Sequence, residues 1–314
     1  MPSVICTLFE GNYHKGVAGL VNSLYYFDFR GDVFIGYRGA LPQWADAAEN
    51  NPSLNWANAK ILKAADGLNL HFLPVDTHFH FTTYKPYFML QLLEGVAKDA
   101  DGVMYFDPDI IVKCKWDFYE KWITFGVGII HEIINNDMPP NHPVRLMWKD
   151  RIEQSGKEVT RLLHSYINAG FCGVSRSHIE FIKTWCYMID FAIEHFEFDP
   201  ATFLLDDPSS IFRGDQDALN MAAMCSQSPV SEMGPQAMGF IHGGYTMSHA
   251  VGSPKPWNKR FIFSALKGYP PGTADKDFWL HAKSPIKIYS DQQVRLKRLS
   301  ISAAAFMSRF YKRN

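Results

Sequence analysis

Two carboxylates with a single residue between them, Asp107-Pro108-Asp109, stand between two apolar runs, Gly102 to Phe106 and Ile110 to Val112. Charge beside a core is costly unless something compensates it. A divalent cation would do so: carboxylates at i and i+2 across a proline-fixed corner can reach one ion, and that ion can also hold substrate phosphates. The plainer account is an acidic turn in which Pro108 sets φ and the aspartates cap the backbone. His249 is a further possible ligand, and Gly252 and Lys255 behind it could meet phosphate, the lysine as a point charge. Lys85 falls at the start of a helix with Pro86 in its first turn. The helix dipole disfavours a cation there, so either an anionic ligand nearby or plain solvation must account for it. Asp215, ahead of Gln216 and Asp217, reads as a helix N-cap, which is a complete structural explanation by itself. His78 and His80 lack a partner at metal-binding spacing and read as a surface or strand pair.

These residues must be positioned by the elements around them. Ser3 to Phe9 reads as a strand, Gly11-Asn12 breaks it, and His14 to Phe29 follows with apolar residues at 17, 20, 21, 24 and 25, a helical spacing. Val33 to Tyr37 is a second strand and Leu70 to Val75 a third. A β-α-β opening predicts a parallel, doubly wound sheet with its ligand edge at the strand C-termini. The loop Glu10 to Lys15 lies at that edge. It has no GxGxxG fingerprint, although Tyr13 and Lys15 could stack on a base or meet phosphate; an ordinary polar loop explains them too. Further on, Trp116 to Trp122 reads as a short helix, Phe125 to His131 as a strand ending in His131-Glu132, 135–142 as a polar loop, and 144–156 as a helix. Tyr166 to Ser175 is a strand with small residues, which often mark close approach of a ligand or another backbone. His178 to Phe196 is a strongly apolar helix.

The chain has 314 residues, 47% hydrophobic and 15% aromatic, enough for one large core or two small ones. A formal charge of -1 gives no case for nucleic acid as a partner. The five cysteines (Cys6, Cys114, Cys172, Cys186, Cys225) are scattered without a CxxC pair, the pattern of reduced thiols in a cytoplasmic protein. No signal-peptide pattern precedes Val4, and no apolar run approaches the roughly 18 residues of a membrane span.

Taken in order, these pieces resemble the retaining, nucleotide-sugar-dependent glycosyltransferases of the glycogenin and lipopolysaccharide galactosyltransferase type, family GT8. The match runs from the β-α-β start through Lys85, the strand ending in Asp107-Pro108-Asp109, Asn168-Ala169-Gly170 and Asp215-Gln216-Asp217-Ala218-Leu219-Asn220. It ends with His249 to Trp257 as HxxGxxKPW, and so spans residues 3 to about 258. The resemblance implies an α/β fold: a single GT-A domain over 1–270 with a Rossmann-like nucleotide-binding mixed sheet flanked by helices, and a C-terminal extension over 271–314. It implies that Asp107, Asp109 and His249 hold a divalent metal, Mn²⁺ or Mg²⁺. Gly252 and Lys255 would bind the diphosphate, Lys85 would lie beside the sugar nucleotide, and Thr7, Leu8 and Tyr13 would line base and ribose. Gln216, Asp215 and Asn168 would form the catalytic surroundings of the donor sugar and the incoming hydroxyl. The implied donor is a UDP-hexose and the acceptor a glycan or lipid-linked glycan, as in polysaccharide or lipopolysaccharide synthesis. Pro108 stands where alanine is usual in the family.

Residues 291–314 carry six basic side chains (295, 297, 298, 309, 312, 313) against one acid, a formal charge of +5. Val294, Leu299, Ala303, Phe306 and Phe310 recur at helical spacing. A basic amphipathic helix of this kind can lie on an anionic membrane, which suits peripheral contact with the inner membrane face; docking on the domain with a solvated basic face is the alternative. Two rivals to glycosyl transfer share some of the motifs. A haloacid-dehalogenase-type phosphatase also places DxD after a strand, but wants Thr or Val where Ile111 stands, and its motif near the N-terminus. A non-catalytic sugar-nucleotide or glycan-binding module would keep the fold without the chemistry.

Overall fold

The protein is described here by a computed structural model, in which residues 2–132, 137–203, 212 and 214–310 are described. The chain opens with β1 (Val4–Glu10), α1 (His14–Tyr26) and β2 (Gly31–Arg38), then β3 (Glu49–Asn50), β4 (Lys60–Ala65) and β5 (Leu68–Pro74). Next come α2 (Phe81–Glu94), β6 (Gly102–Phe106), β7 (Ile110–Val112), α3 (Trp116–Trp122), β8 (Val127–His131), α4 (Pro143–Gln154) and β9 (Ile167–Ser175). The remainder is α5 (Ile179–His195), α6 (Asp215–Cys225), β10 (Val230–Met233), β11 (Met247–His249), α7 (Phe261–Leu266), α8 (Thr273–Leu280) and α9 (Asp291–Met307).

One sheet runs β10-β8-β9-β6-β1-β2-β5-β4-β3. β1 is parallel to β2 and β6, and its residues Val4–Phe9 are all buried, as expected of a strand covered on both faces. From β1 the chain builds outward to β2 and β5 on one side and, from β6, to β9 and β8 on the other. The β1/β6 boundary is therefore the switch point at which open α/β sheets hold ligands. The expectation of a parallel sheet holds for β6-β1-β2-β5 and for the β8/β10 pair at one edge. β9 runs antiparallel between β6 and β8, and β4 is antiparallel to β5, which makes the sheet mixed.

Several local expectations are corrected. α2 begins at Phe81, because His80 acts as its N-cap and accepts the Thr82 amide at 3.3 Å. His80 is thus a cap in a loop, not part of a strand. Lys85 and Pro86 consequently sit in the second helical turn, and Lys85 is buried rather than solvated at a helix start. Asp215 is the first residue of α6 and Gly214 its N-cap; the Asp215 carboxylate forms an ion pair with Lys85. Of the readings made from sequence, parts of the 135–142 loop, Ile211, Arg213 and the basic residues 312 and 313 lie outside the described residues.

The C-terminal segment packs on the body of the domain. Val294, Ile301 and Ala304 of α9 join Trp257, Phe261, Phe278, Trp279 and Ile111 of β7 in one apolar cluster. Asn22 of α1 fastens the chain after α8, donating to the carbonyls of His281 (2.8 Å) and Ile286 (2.9 Å) and accepting the Ile286 amide (2.7 Å). The apolar stripe expected on α9 therefore divides. Val294 faces the domain, whereas Leu299, Phe306 and Phe310 are exposed.

Candidate active site

The Asp107-Pro108-Asp109 corner is fixed by backbone on both sides. β6 pairs with β9 up to Phe106–Phe171, and the Asp107 amide continues the ladder to Gly170 O at 2.7 Å. After the corner, β7 pairs antiparallel with β11, placing His249 opposite Ile110, and the Ala250 amide reaches Asp109 O at 3.1 Å. Residues more than a hundred positions apart in sequence thus converge through strand register. His249 Nε2 lies 3.2 Å from Asp109 Oδ1 and 3.6 Å from Asp107 Oδ2. α1 crosses close beneath: a Cβ on Gly16 would come within 2.3 Å of Pro108 O.

The donor set suits a divalent ion. Ligand atoms of Asp107, Asp109 and His249 all lie within 4.8 Å of one another, two oxygens and a nitrogen, a combination that hard and borderline divalent ions accept. The cradle around the histidine is tight. A Cβ on Gly170 would fall 2.5 Å from His249 Cε1 and 2.9 Å from its Nδ1, so the glycine leaves room for the ring. That is the close approach which the small residues of this strand foreshadow. His249 Nδ1 is buried without a hydrogen-bond partner among the described residues.

Two lysines hold the acidic groups in the protein itself. Lys255 Nζ lies 2.5 Å from Asp109 Oδ2 and 2.8 Å from Ala250 O. Lys85 Nζ bridges Asp107 (3.2 Å) and Asp215 (3.3 Å) and donates to Ala169 O (3.1 Å). Burial alone would lower the pKa of each lysine, but the facing carboxylates outweigh it and both are raised. For Asp109, burial raises and His249 and Lys255 lower, and the net is well below the usual carboxylate range. Asp215 goes the other way. Burial and the charge of Asp107 outweigh Lys85, so its pKa is raised.

These groups line one cleft of about 610 Å³ at the β1/β6 switch point, within the usual range of small-molecule sites. Of the residues named from sequence, Leu8, Tyr13, Lys85, Asp107, Asp109, Asn168, Asp215, Gln216, His249, Gly252 and Lys255 all line it. Thr7 does not; it is fully buried in β1, its Oγ1 unpartnered among the described residues. Gly252 has φ +75°, a conformation that favours glycine. Gln216 Oε1 accepts the Ala169 amide (3.0 Å), and Asn168 Oδ1 accepts the Gly170 amide (2.8 Å). Tyr13 packs edge-on to Trp257, with ring centroids 5.7 Å apart.

Other cleft residues were given no role at the site from sequence. Asn168 Nδ2 donates to Glu132 Oε2, which places the acid following β8 in the same wall. Its signal was a carboxylate just past an apolar strand, the same pattern as Asp107. Tyr166 donates to Asp217 Oδ1 at 2.6 Å, and Tyr105 to Asp107 Oδ1 at 2.9 Å. A tyrosine inside an apolar strand carries no sign that its hydroxyl meets an acid two residues on. His80 and Phe203 form the far wall, in a tilted ring contact with centroids 5.3 Å apart.

No protein-family model and no curated protein matches the chain. Solved structures do share its fold. The galactosyltransferase LgtC, solved in complex with donor and acceptor sugar analogues, matches 94% of this chain and 99% of its own at a TM-score of 0.54 and 16% identity. The glycosyltransferase GlyE of Streptococcus pneumoniae TIGR4 gives a TM-score of 0.53 at 14% identity, over 96% of this chain and 64% of that one. The bifunctional glycosyltransferase WbbM gives 0.51 at 12% identity, over 95% of this chain and 52% of WbbM. The fold is thus the GT-A fold of glycosyltransferases, a mixed α/β sheet flanked by helices.

Proposed function

We propose that the protein is a glycosyltransferase that moves a hexose from a nucleotide sugar, UDP-hexose foremost, to a hydroxyl of a glycan or lipid-linked glycan with retention. The observation that carries this reading is the convergence of Asp107, Asp109 and His249, beside Lys255 and Lys85, at the switch point of a GT-A sheet. In such a transfer the anomeric C–O bond breaks and its electron pair leaves on the nucleoside diphosphate, while the acceptor oxygen bonds the same carbon and gives up its proton to the departing diphosphate or to water. Asp107, Asp109 and His249 would hold Mn²⁺ or Mg²⁺, which supplies positive charge to the departing diphosphate. Lys255 and the backbone at Gly252 would bind that diphosphate, stabilising charge as it develops. Leu8 and Tyr13 would flank the nucleoside, with Thr7 supporting them from within β1. Asn168, Asp215 and Gln216 would surround the sugar, with the Lys85 bridge keeping Asp107 and Asp215 in place. A non-catalytic module would not need so many buried charges gathered in one cleft, because burying them is costly.

Thermal melting against UDP, GDP, CDP and ADP, each with and without Mn²⁺, tests the reading. A ligand at 100-fold excess over its Kd adds about 2.7 kcal/mol of stability. A shift with UDP that requires Mn²⁺ is expected, followed by Mn²⁺-dependent hydrolysis of a UDP-sugar that Asp109→Ala abolishes. No shift with any nucleotide would overturn it.

We place the protein in the cytoplasm, at the inner membrane face. The outward side of the C-terminal segment supports the membrane contact: Leu296, Leu299 and Phe306 of α9 and Phe310 in the turn after it are exposed, with Arg295, Arg298 and Arg309 beside them. No helix among the described residues is long and apolar enough to cross a membrane. Deleting α9 would uncover the cluster under Val294 and Ile301, so point variants are the better test. Phe306→Ser/Phe310→Ser should lose flotation with anionic vesicles, and unchanged flotation would refute the contact.

A further inference from the structure

A second concavity of about 740 Å³ lies between α7 and α9, away from the acidic cluster. Buried Trp257, Phe261 and Trp279 form its floor, and exposed Phe263, Leu266 and Leu296 its rim. None of its lining residues is acidic, and it carries two cations. Lys297 Nζ stands 5.6 Å from the ring centroids of both Phe261 and Trp279 and donates to Lys259 O at 3.2 Å. Neither Lys297 nor Arg260 makes an ion pair among the described residues. Neighbouring Lys259 and Lys287, by contrast, have Asp275 and Asp291. Burial holds Lys297 below its ordinary pKa, as expected of an ammonium without a counter-ion. Trp257 Nε1 and the Tyr289 hydroxyl, both on lining residues, are buried without partners among the described residues.

An apolar floor and rim with uncompensated cations and no acid matches an amphiphile with one anionic group. A free sugar fits less well, since its many hydroxyls would meet a lining that is mostly apolar and aromatic, with only Gln293, Ser300 and Tyr289 as neutral polar partners. Leu296 belongs both to the rim and to the exposed apolar side of α9, where Leu299 and Phe306 lie and which Phe310 extends in the following turn. The groove is therefore continuous with a surface suited to a bilayer. We propose that the α7/α9 groove binds one acyl chain of an anionic phospholipid, with Lys297 and Arg260 meeting its phosphate. Trp257 on the groove's floor also packs edge-on against Tyr13, a lining residue of the acidic cleft. The proposal does not depend on glycosyl transfer.

Dihexanoyl-phosphatidylglycerol, kept monomeric below its micellar concentration, is the probe, titrated into the full chain by calorimetry. Dihexanoyl-phosphatidylcholine and glycerophosphoglycerol are the comparisons. Saturable one-to-one binding is expected, roughly tenfold tighter for the anionic lipid than for the zwitterionic one, as charge-assisted contacts would give, and none for the headgroup alone. Leu266→Glu, an exposed rim change, should abolish binding while its melting point stays near wild type; Phe263→Glu serves if that variant melts early. Lys297→Gln should reduce the preference for the anionic lipid, and Lys297→Gln/Arg260→Gln should erase it. Phe306→Ser/Phe310→Ser should leave the titration unchanged, which separates the groove from surface adsorption. Equal affinity for both lipids, unaltered binding by the rim variants, binding of the headgroup alone, or no saturable binding would each overturn the proposal. The UDP and Mn²⁺ melting shift is a separate readout, so failure of one proposal leaves the other standing.

Discussion

Lys85→Met is the most informative single change, because the Lys85 ammonium is the shared counter-ion of two carboxylates. It is nearly inaccessible, at 3% exposure, and bridges Asp107 at 3.2 Å and Asp215 at 3.3 Å. Removing one partner of a buried pair costs about 3–5 kcal/mol, because the other charge is left uncompensated. At the roughly 2 °C per kcal/mol expected for a chain of this size, the melting point should fall by about 6–10 °C. Asp215→Asn in the same background removes the stranded charge and should restore more than half of the loss. The double-mutant cycle should then show a coupling of at least about 1.5 kcal/mol. The pH dependence has a definite sign. Asp215 already has a raised pKa, mainly from burial, and losing Lys85 raises it further. A folded-state carboxyl pKa above the unfolded value of about 3.9 means stability falls as pH rises from there to the folded value. Lys85→Met should therefore regain stability on acidification toward pH 5, and the double variant should not. Urea unfolding across pH measures all of this. A loss under about 1 kcal/mol at neutral pH, or an additive cycle, would refute the buried bridge.

Gly170→Ala pushes a methyl against His249, at 2.5 Å from Cε1; overpacking of this kind costs about 1–3 kcal/mol. Calorimetry should show Mn²⁺ binding weakened far more than the melting point suggests. Asn22→Ala leaves two carbonyls and an amide without their side-chain partner. It should destabilise by about 2–3 kcal/mol in urea, and a loss under 0.5 kcal/mol (roughly the error of such a measurement) would argue against this tie to the C-terminal segment. Asp32 is held below the usual carboxylate range chiefly by its hydrogen bond with His71. Its contribution is therefore present above about pH 4 and is lost as pH falls through the lowered value. The stability difference between wild type and Asp32→Asn should shrink as pH falls below 4.

What sequence could reveal depended on whether a residue's neighbours were local. β1 and β6 were legible because a strand buried on both faces is a continuous apolar run. β4 was not: Lys60–Ala65 is only partly buried and has two lysines, so it shows neither alternation nor an apolar run. The start of α2 was misjudged because histidine is an uncommon cap, and His80 takes that role through its ring nitrogen. Asp215 was read as a cap because its strongest partner, Lys85, lies 130 positions away in sequence and no local pattern reports it. The split of α9 has a similar cause. Periodicity reveals that a helix has an apolar side, but here Val294 and Ile301 meet the domain while Leu299 and Phe306 do not. Only tertiary packing tells the two stripes apart.

The charges of the cluster argue that metal and nucleotide bind together, and that Lys255 changes partner when they do. Asp107, Asp109 and Asp215 face Lys85 and Lys255; with His249 neutral, three carboxylates against two ammonium groups leave one net negative charge. A dianionic diphosphate is repelled by such a site, whereas a divalent ion reverses the sign before or as it arrives. Lys255 is paired with Asp109, one of the carboxylates proposed to hold the ion. Ion and ammonium would therefore compete for that carboxylate, and an ammonium displaced from it would be free to pair with a diphosphate in the same cleft. Lys255→Met should accordingly have opposite effects on two affinities. Binding of Mn²⁺ alone should tighten, by about tenfold if one charge contact worth about 1.4 kcal/mol is relieved. Binding of UDP in the presence of Mn²⁺ should weaken, because the cation that faces the diphosphate is gone. Electron paramagnetic resonance of free Mn²⁺ gives the first constant and calorimetry with UDP the second. If Lys255→Met weakens Mn²⁺ binding in the absence of nucleotide, Lys255 supports the ion site instead of competing with it, and the exchange of partners is refuted.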